Sequence, residues 1–238
     1  MVTGTVGAGT VSVGESVQIL PSNVEAKVRT LQVYNRPVEK TTAGQRAAVN
    51  LQGIEASAVE RGDVLVHTHT LAPTRMLDVY IEYLPSAQRP LKNRTRQRFH
   101  IGTNLTSASI FLLDREEMAP GESGFAQLRL EAPVVALPHD RFVIRGSGVI
   151  QTLGGGVVLD AHPARHKRNA PSVIEDLTIL REGNQDQAIA QHISRSGMGG
   201  IASDDLLKRV STSSSEVQRV IKKMIDQEEA LSIDSEKM

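Results

Sequence analysis

Apolar and polar residues alternate in short runs through residues 1–69, as in Val11-Ser-Val, Ser16-Val-Gln-Ile-Leu, Ala26-Lys-Val-Arg-Thr-Leu-Gln-Val and Ala47-Ala-Val-Asn-Leu. Gly14, Pro21, Pro37, Gly44, Gly53 and Gly62 punctuate these runs. Short strands of period two at this spacing predict a β-sandwich or barrel. A second series begins after Pro73, with strands expected at Met76–Tyr83, Gln97–Ile101, Ala108–Leu113, Gly124–Leu130, Arg141–Ile144 and Gly156–Leu159. It predicts a second barrel ending near Asp160, followed by a polar, basic linker over 163–171.

The period then changes to that of a helix. Ile189 and Ile193 keep helical spacing, and Ser203 is expected to cap a helix over Asp204–Val210 with acids in its first turn. After a polar turn at 211–215, Val217, Val220, Ile221, Met224 and Ile225 form one apolar stripe. Leu231-Ser-Ile-Asp reads as a closing strand. This is the order of a winged helix-turn-helix. The expected fold is therefore mainly β: two barrels (1–69 and 70–168), then a linker and a small α+β winged-helix domain (169–238).

Composition narrows the chemistry. Cysteine is absent, which excludes disulfides, thiolate metal sites and cysteine nucleophiles and suits a reducing cytoplasm. No signal-peptide pattern is present, and apolar runs fall far short of the ~20 residues that span a bilayer, so a cytoplasmic protein is expected, with no membrane partner. Met1-Val-Thr-Gly-Thr-Val reads as the middle of a strand, which suggests a chain cut from something longer. The formal charge is +0, yet 12 acids and 8 bases lie from Asn169 onward, against 27 of each in all. Residues 1–168 thus hold 19 bases and 15 acids, a mild excess that suits a polyanionic partner.

No G-x-x-x-x-G-K-[ST] loop occurs, nor a G-x-S-x-G elbow, so the residues do not read as an enzyme. Gly154-Gly155-Gly156 precedes a strand, not a helix, and is expected to be a turn or bulge at a barrel corner. His67 and His69 would share one strand face, without a third metal ligand in view. Arg89, Lys92, Arg94, Arg96 and Arg98 form a cluster with no acid up to His100. Arg96, Arg98 and His100 alternate and would share a face, as a solvated, charge-protected edge or as a surface that tracks phosphates.

Several segments resemble translational GTPases. Thr3-Gly-Thr-Val, Val13-Gly-Glu-Ser-Val, Ala43-Gly-Gln-Arg-Ala-Ala-Val-Asn-Leu and Arg61-Gly-Asp-Val-Leu look like the second domain of elongation factor Tu. Arg98-Phe-His-Ile-Gly-Thr, Gly121-Glu-Ser, Leu137-Pro-His-Asp-Arg-Phe-Val-Ile-Arg and Thr152-Leu-Gly-Gly-Gly-Val-Val-Leu-Asp look like the third. Their wording is most similar to bacterial selenocysteine-specific elongation factors, and the winged helix suits that family and not elongation factor Tu.

The resemblance implies a part of such a factor that binds selenocysteyl-tRNA for UGA recoding, without its GTPase domain. GTP and magnesium would then belong to the absent domain, and no cofactor to this chain. The arginine after Ala-Gly-Gln, here Arg46, would line the aminoacyl pocket, where an always-charged guanidinium suits a selenolate. Tyr34 stands where the family often has His. Arg96 and Arg145 fall at third-domain positions that hold the tRNA stem, and Arg98 shares the strand of Arg96. The ribosome is an implied partner, as is an mRNA hairpin read by tail domains beyond this chain. The first winged helix, being acidic, would act as a spacer. Two other readings stay open: part of another translational GTPase, and a winged-helix DNA-binding regulator with a β sensor domain.

Overall fold

The computed structural model describes residues 1–148, 151–210 and 212–232. The chain divides into two compact units, residues 1–73 with 133–135, and residues 74–132 with 136–238.

The first unit contains β1 (Val2–Thr5), β2 (Thr10–Ser12), β3 (Ser16–Leu20), β4 (Val24–Val33), β5 (Arg36–Val38), β6 (Lys40–Thr42), β7 (Arg46–Gln52) and β8 (Val64–His67). One sheet runs β1-β7-β4-β3-β8 with β5 also on β4, and β2 pairs with β6 in a second sheet. Alternation along β3, β4 and β7 turns Val17, Ala26, Val28, Leu31 and Val49 into a shared core. The hairpin between β4 and β5 turns on Tyr34 and Asn35, both with positive φ (51° and 61°).

The second unit is built on β9 (Thr74–Tyr83), β10 (Leu91–Lys92), β11 (Arg96–Ile101), β12 (Asn104–Leu112), β13 (Glu117–Met118), β14 (Ser123–Val134), β15 (Arg141–Arg145) and β16 (Thr152–Asp160). Six of these close a barrel in the order β11-β12-β14-β9-β16-β15, and β10 pairs with β13 beside it. The six are the six strands expected from the alternation. Leu77, Val79, Ile81, Phe99, Ile110, Leu128, Phe142, Ile144 and Val158 are buried.

The glycine run differs from its expectation. Gly154, Gly155 and Gly156 lie inside β16, paired with β9 and β15. A Cβ on Gly156 would stand 1.9 Å from the carbonyl oxygen of Tyr80, and one on Gly154 or Gly155 would stand 2.5 Å from a neighbouring strand's carbonyl. Close approach of two backbones is the reason for these glycines; a register shift falls beside them, opposite Ile144 and Arg145.

Four helices follow: α1 (Pro171–Glu182), α2 (Gln185–Ser196), α3 (Ser203–Arg209) and α4 (Ser214–Asp226). Ser203 is the first helical residue of α3 and Ala202 takes the cap position without a side-chain bond. The caps that do form are Asn184, in a capping box with Gln187, and Ser213, whose side chain accepts from the Glu216 amide. Ile189, Leu206, Val210, Val217, Val220 and Met224 make the core of α2–α4. The strand expected at 231–234 has no regular structure at Leu231 and Ser232, and its remainder lies outside the described residues. Among the described residues no helix is long and apolar enough to cross a membrane.

The segment expected to be a linker is instead held on the barrel. The Asn169 amide donates to the Leu113 carbonyl (2.8 Å), and α1 buries Leu177 and Leu180 against Leu113, Phe125 and Leu159. Tyr80 packs edge-on against Phe125, and the Arg181 guanidinium lies 3.5 Å above the Tyr80 ring. The helices therefore belong to the same compact unit as the barrel.

Candidate nucleic-acid interface

Pleating decides what the barrel shows outside. Along β11, Phe99 and Ile101 point in, so Arg96, Arg98 and His100 point out, the shared face that their spacing predicts. Strand β15 places Arg145 directly opposite Arg98 across an antiparallel pair. Two guanidinium groups thus occupy paired positions, where like charges repel. Arg145 Nε and His100 Nε2 are buried and have no hydrogen-bond partner among the described residues. Burial holds the His100 pKa below 6.5, and Arg145 and Arg98 push it the same way. The imidazole is then a neutral neighbour of two fixed cations.

Arg96 lies one step along, opposite Ser109, whose other neighbour is Arg129. It is exposed and forms an ion pair with Glu131 of β14, an acid that also accepts Arg75 on its backbone carbonyl. Arg96 is therefore not a bare cation. Glu131 was not legible beforehand, because pairing across the barrel brings together residues 35 positions apart.

In the first unit, Arg46 opens β7, opposite Thr5 of β1. The next pair, Ala47 with Val33, ends the β4–β7 ladder, and Tyr34 follows Val33. Arg46 and Tyr34 thus stand at the same end of one sheet, and Tyr34 is 83% exposed. The loop before Arg46 is pinned by Gln45, whose Oε1 accepts from Thr41 Oγ1 (2.9 Å) and the Thr42 amide (3.0 Å). His67 closes β8 with Nε2 3.0 Å from the Thr10 carbonyl, whereas His69 lies in a turn at φ 64°. The two imidazoles do not share a strand face. Among the described residues no group of three or more His, Asp or Glu is placed to hold a metal.

The opposite side of the barrel carries acids that sequence reasoning missed. Asp78 and Asp160 are cross-strand partners and both are fully buried. Asp78 accepts from Gln127 Nε2 (2.9 Å) and lies 2.5 Å from His166 Nε2. Burial raises its pKa above 3.8, and His166 opposes that rise. Asp160 accepts from the His162 amide (2.8 Å) and lies 3.4 Å from Arg195 and 3.8 Å from Arg209. An aspartate within Leu77-Asp78-Val79 was the available signal; its partner stands 88 residues away.

Comparison with known proteins places this arrangement. The family model described as "Elongation factor Tu domain 2" matches residues 1–66, and "Selenocysteine-specific elongation factor, beta-barrel domain" matches residues 78–165. The selenocysteine-specific elongation factor of Desulfomicrobium baculatum is 35% identical over 87% of this chain and 32% of its own length. The chain belongs to the selenocysteine-specific elongation factor family. The factor of Escherichia coli is 29% identical over 82% of this chain and 30% of its own length. Elongation factor Tu 2 of Streptomyces avermitilis is 29% identical over only 66% of this chain. The chain thus spans about a third of the length of the curated selenocysteine-specific relatives it matches. A crystal structure of translation elongation factor SelB from Methanococcus maripaludis shares the fold: TM-score 0.60 at 23% identity, over 68% of this chain and 39% of that one.

Proposed function

We propose that this chain is the part of a selenocysteine-specific elongation factor that holds the tRNA, binding selenocysteyl-tRNA for UGA recoding at the ribosome. The observation that carries the reading is the Arg98–Arg145 pair on the outer face of the barrel, with Arg96 beside it. Like charges at paired positions are costly alone and favourable against a polyanion, so the face suits a phosphate backbone. Contacts of this kind position an RNA without reading its sequence.

Arg46 supplies the selenocysteine character. A selenol is ionised at neutral pH where a serine hydroxyl is not, and a guanidinium at the end of β7 attracts the former. Tyr34, at the neighbouring turn, is placed to wall the same pocket. The chain carries no phosphate loop, so its residues do not fit GTP; nucleotide and magnesium fall to a GTPase domain joined to it, and this part binds without hydrolysing. The helical region serves as a spacer toward domains that reach an mRNA hairpin.

The test joins the chain to a GTPase domain of the family and compares selenocysteyl-tRNA with seryl-tRNA in the GTP state. Arg46→Ala should abolish most of the preference while leaving affinity for seryl-tRNA within about threefold, the range of a lost surface charge. A preference that survives Arg46→Ala sinks the pocket assignment. Binding unaffected by Arg98→Ala and Arg145→Ala sinks the barrel-face reading.

A further inference from the structure

The outer face of the barrel does not end at Arg96. Moving along β14 from Glu131, the outward positions are Arg129, then Gln127, then Phe125. Glu131 is exposed, Arg129 half-buried, and Gln127 and Phe125 are buried, the last beneath α1. Where the cover begins, the chain segment 165–169 crosses the sheet and leaves a groove of about 790 Å³. Its walls carry Arg94, Arg129, Lys167 and Arg168, with Phe111 between them and Glu116 at the edge.

The charges in this groove are poorly balanced. Arg168 is paired with Glu116, but among the described residues Arg94, Arg129 and Lys167 have no carboxylate partner. The other nearby acid, Asp78, lies buried and is taken up by His166 and Gln127. The Arg129 guanidinium sits 3.9 Å above the Phe111 ring, which fixes it in place, and its Nε is buried without a partner. Burial lowers the Arg129 pKa, and Arg165 and Arg94 lower it further, so the cations repel one another. Arg94 is held at the rim by a left-handed turn (φ 63°) and by its amide, which donates to the Ile110 carbonyl at 2.7 Å. Crowded, positioned guanidinium and ammonium groups around an open groove are what an oxyanion site requires.

We propose that this groove is a second phosphate site, which takes a backbone phosphate of bound RNA and continues the Arg98–Arg145 face across β12 and β14. It rests on the tRNA reading for the source of its phosphate. The neutral and cationic residues of 165–169 give the segment a role beyond joining barrel to helix: it forms one wall of the site. Because Asn169 pins the wall to the Leu113 carbonyl two residues before α1 begins, bound RNA and the docked helical region support each other.

The test uses the chain as it stands and a fluorescein-labelled selenocysteine tRNA, with affinity followed against salt. Arg94 and Lys167 are exposed, so Arg94→Gln with Lys167→Gln leaves the fold intact. The double variant should lower the salt slope by roughly one, the single phosphate the groove takes, and weaken binding about tenfold at low salt. Arg98→Ala with Arg145→Ala is run beside it. If that pair weakens tRNA binding and the groove pair does not, the groove proposal falls and the barrel-face reading stands; if neither does, both fall. Inorganic phosphate is the second arm, read from the side-chain Nε–H resonance of Arg129 by NMR. Phosphate that shifts this resonance in the parent and not in the groove variant, together with the altered tRNA slope, supports the site. A phosphate response with an unchanged tRNA slope makes it a small-anion site and overturns the RNA assignment.

Discussion

One barrel presents two outer surfaces with opposite fates. Over β9, β14 and β16 the surface is apolar and acidic: Tyr80, Phe125, Asp78 and Asp160 all point outward, and all are covered. The chain's own later residues meet them, with Leu177 and Leu180 for the apolar patch and His166, Arg195 and Arg209 for the acids. Over β11 and β15 the outward residues include Arg96, Arg98 and Arg145, the first exposed and the other two half-buried, and among the described residues neither Arg98 nor Arg145 has a carboxylate partner. Acidic outward positions take cationic side chains from the same polypeptide, whereas Arg98 and Arg145 face each other without a carboxylate, the arrangement on which the proposed tRNA surface rests. The covered surface is read as structure and the open one as function, and the sign of the charge separates them.

The comparison breaks most severely if the acidic surface is disarmed. Asp160→Ala leaves Arg209 without its carboxylate, Arg195 with Asp176 (3.6 Å) alone, and the His162 amide without its acceptor. Loss of about 2–3 kcal/mol is expected in chemical denaturation, below the ~3–5 kcal/mol of a wholly buried pair because both arginines keep some contact with water. Helices α1–α4 should become sensitive to limited proteolysis while the barrel persists.

On the open surface, Arg98→Ala with Arg145→Ala should leave thermal stability unchanged or slightly raised and reduce the salt slope of tRNA binding by roughly two. A variant that loses stability instead would place the pair among structural residues.

Acidity tests the covered surface more gently. Burial holds His192 below its ordinary 6.5, against the pull of Asp160 and with help from Arg195 and Arg209. His162 is lowered in the same way. The unfolded chain therefore takes up these protons more readily than the folded one. Stability is complete above pH 6.5 and falls as the pH drops below it. Asp78, with a raised pKa, acts in the opposite sense, its charged form being the costly one as the pH rises. His192→Gln should flatten the decline in melting temperature between pH 6.5 and 5.5 by about 2–4 °C, what ~1 kcal/mol does in a domain of this size.

The smallest effect concerns the boundary between the surfaces. Glu131 neutralises Arg96, so Glu131→Gln should free that guanidinium and tighten tRNA binding about two- to threefold at low salt. Weaker binding would show that Arg96 needs its carboxylate to be held in place.

Much of the architecture was legible in the alternation. All six barrel strands fall where period two placed them, and Arg96, Arg98 and His100 share the face their spacing required. The α4 stripe was equally local. The glycine run shows where local reading stops: a triple glycine suggests a turn, yet here each hydrogen makes room for a carbonyl on another strand. The supposed linker shows the same limit, since polar residues at 163–171 look solvated until Asp78 appears beneath them.

The periods, the positive excess before Asn169 and the wording that points to the family are properties of the chain read locally. These depend on neighbours a few residues apart, which any local pattern records. Folding alone makes Arg145 face Arg98, lets Glu131 hold Arg96, buries Asp78 and Asp160 side by side, and brings Arg94, Arg129 and Lys167 to one groove. Barrel closure sets those juxtapositions. It brings together residues that lie far apart along the chain, and the charge on each acquires its meaning from a partner that local spacing cannot name.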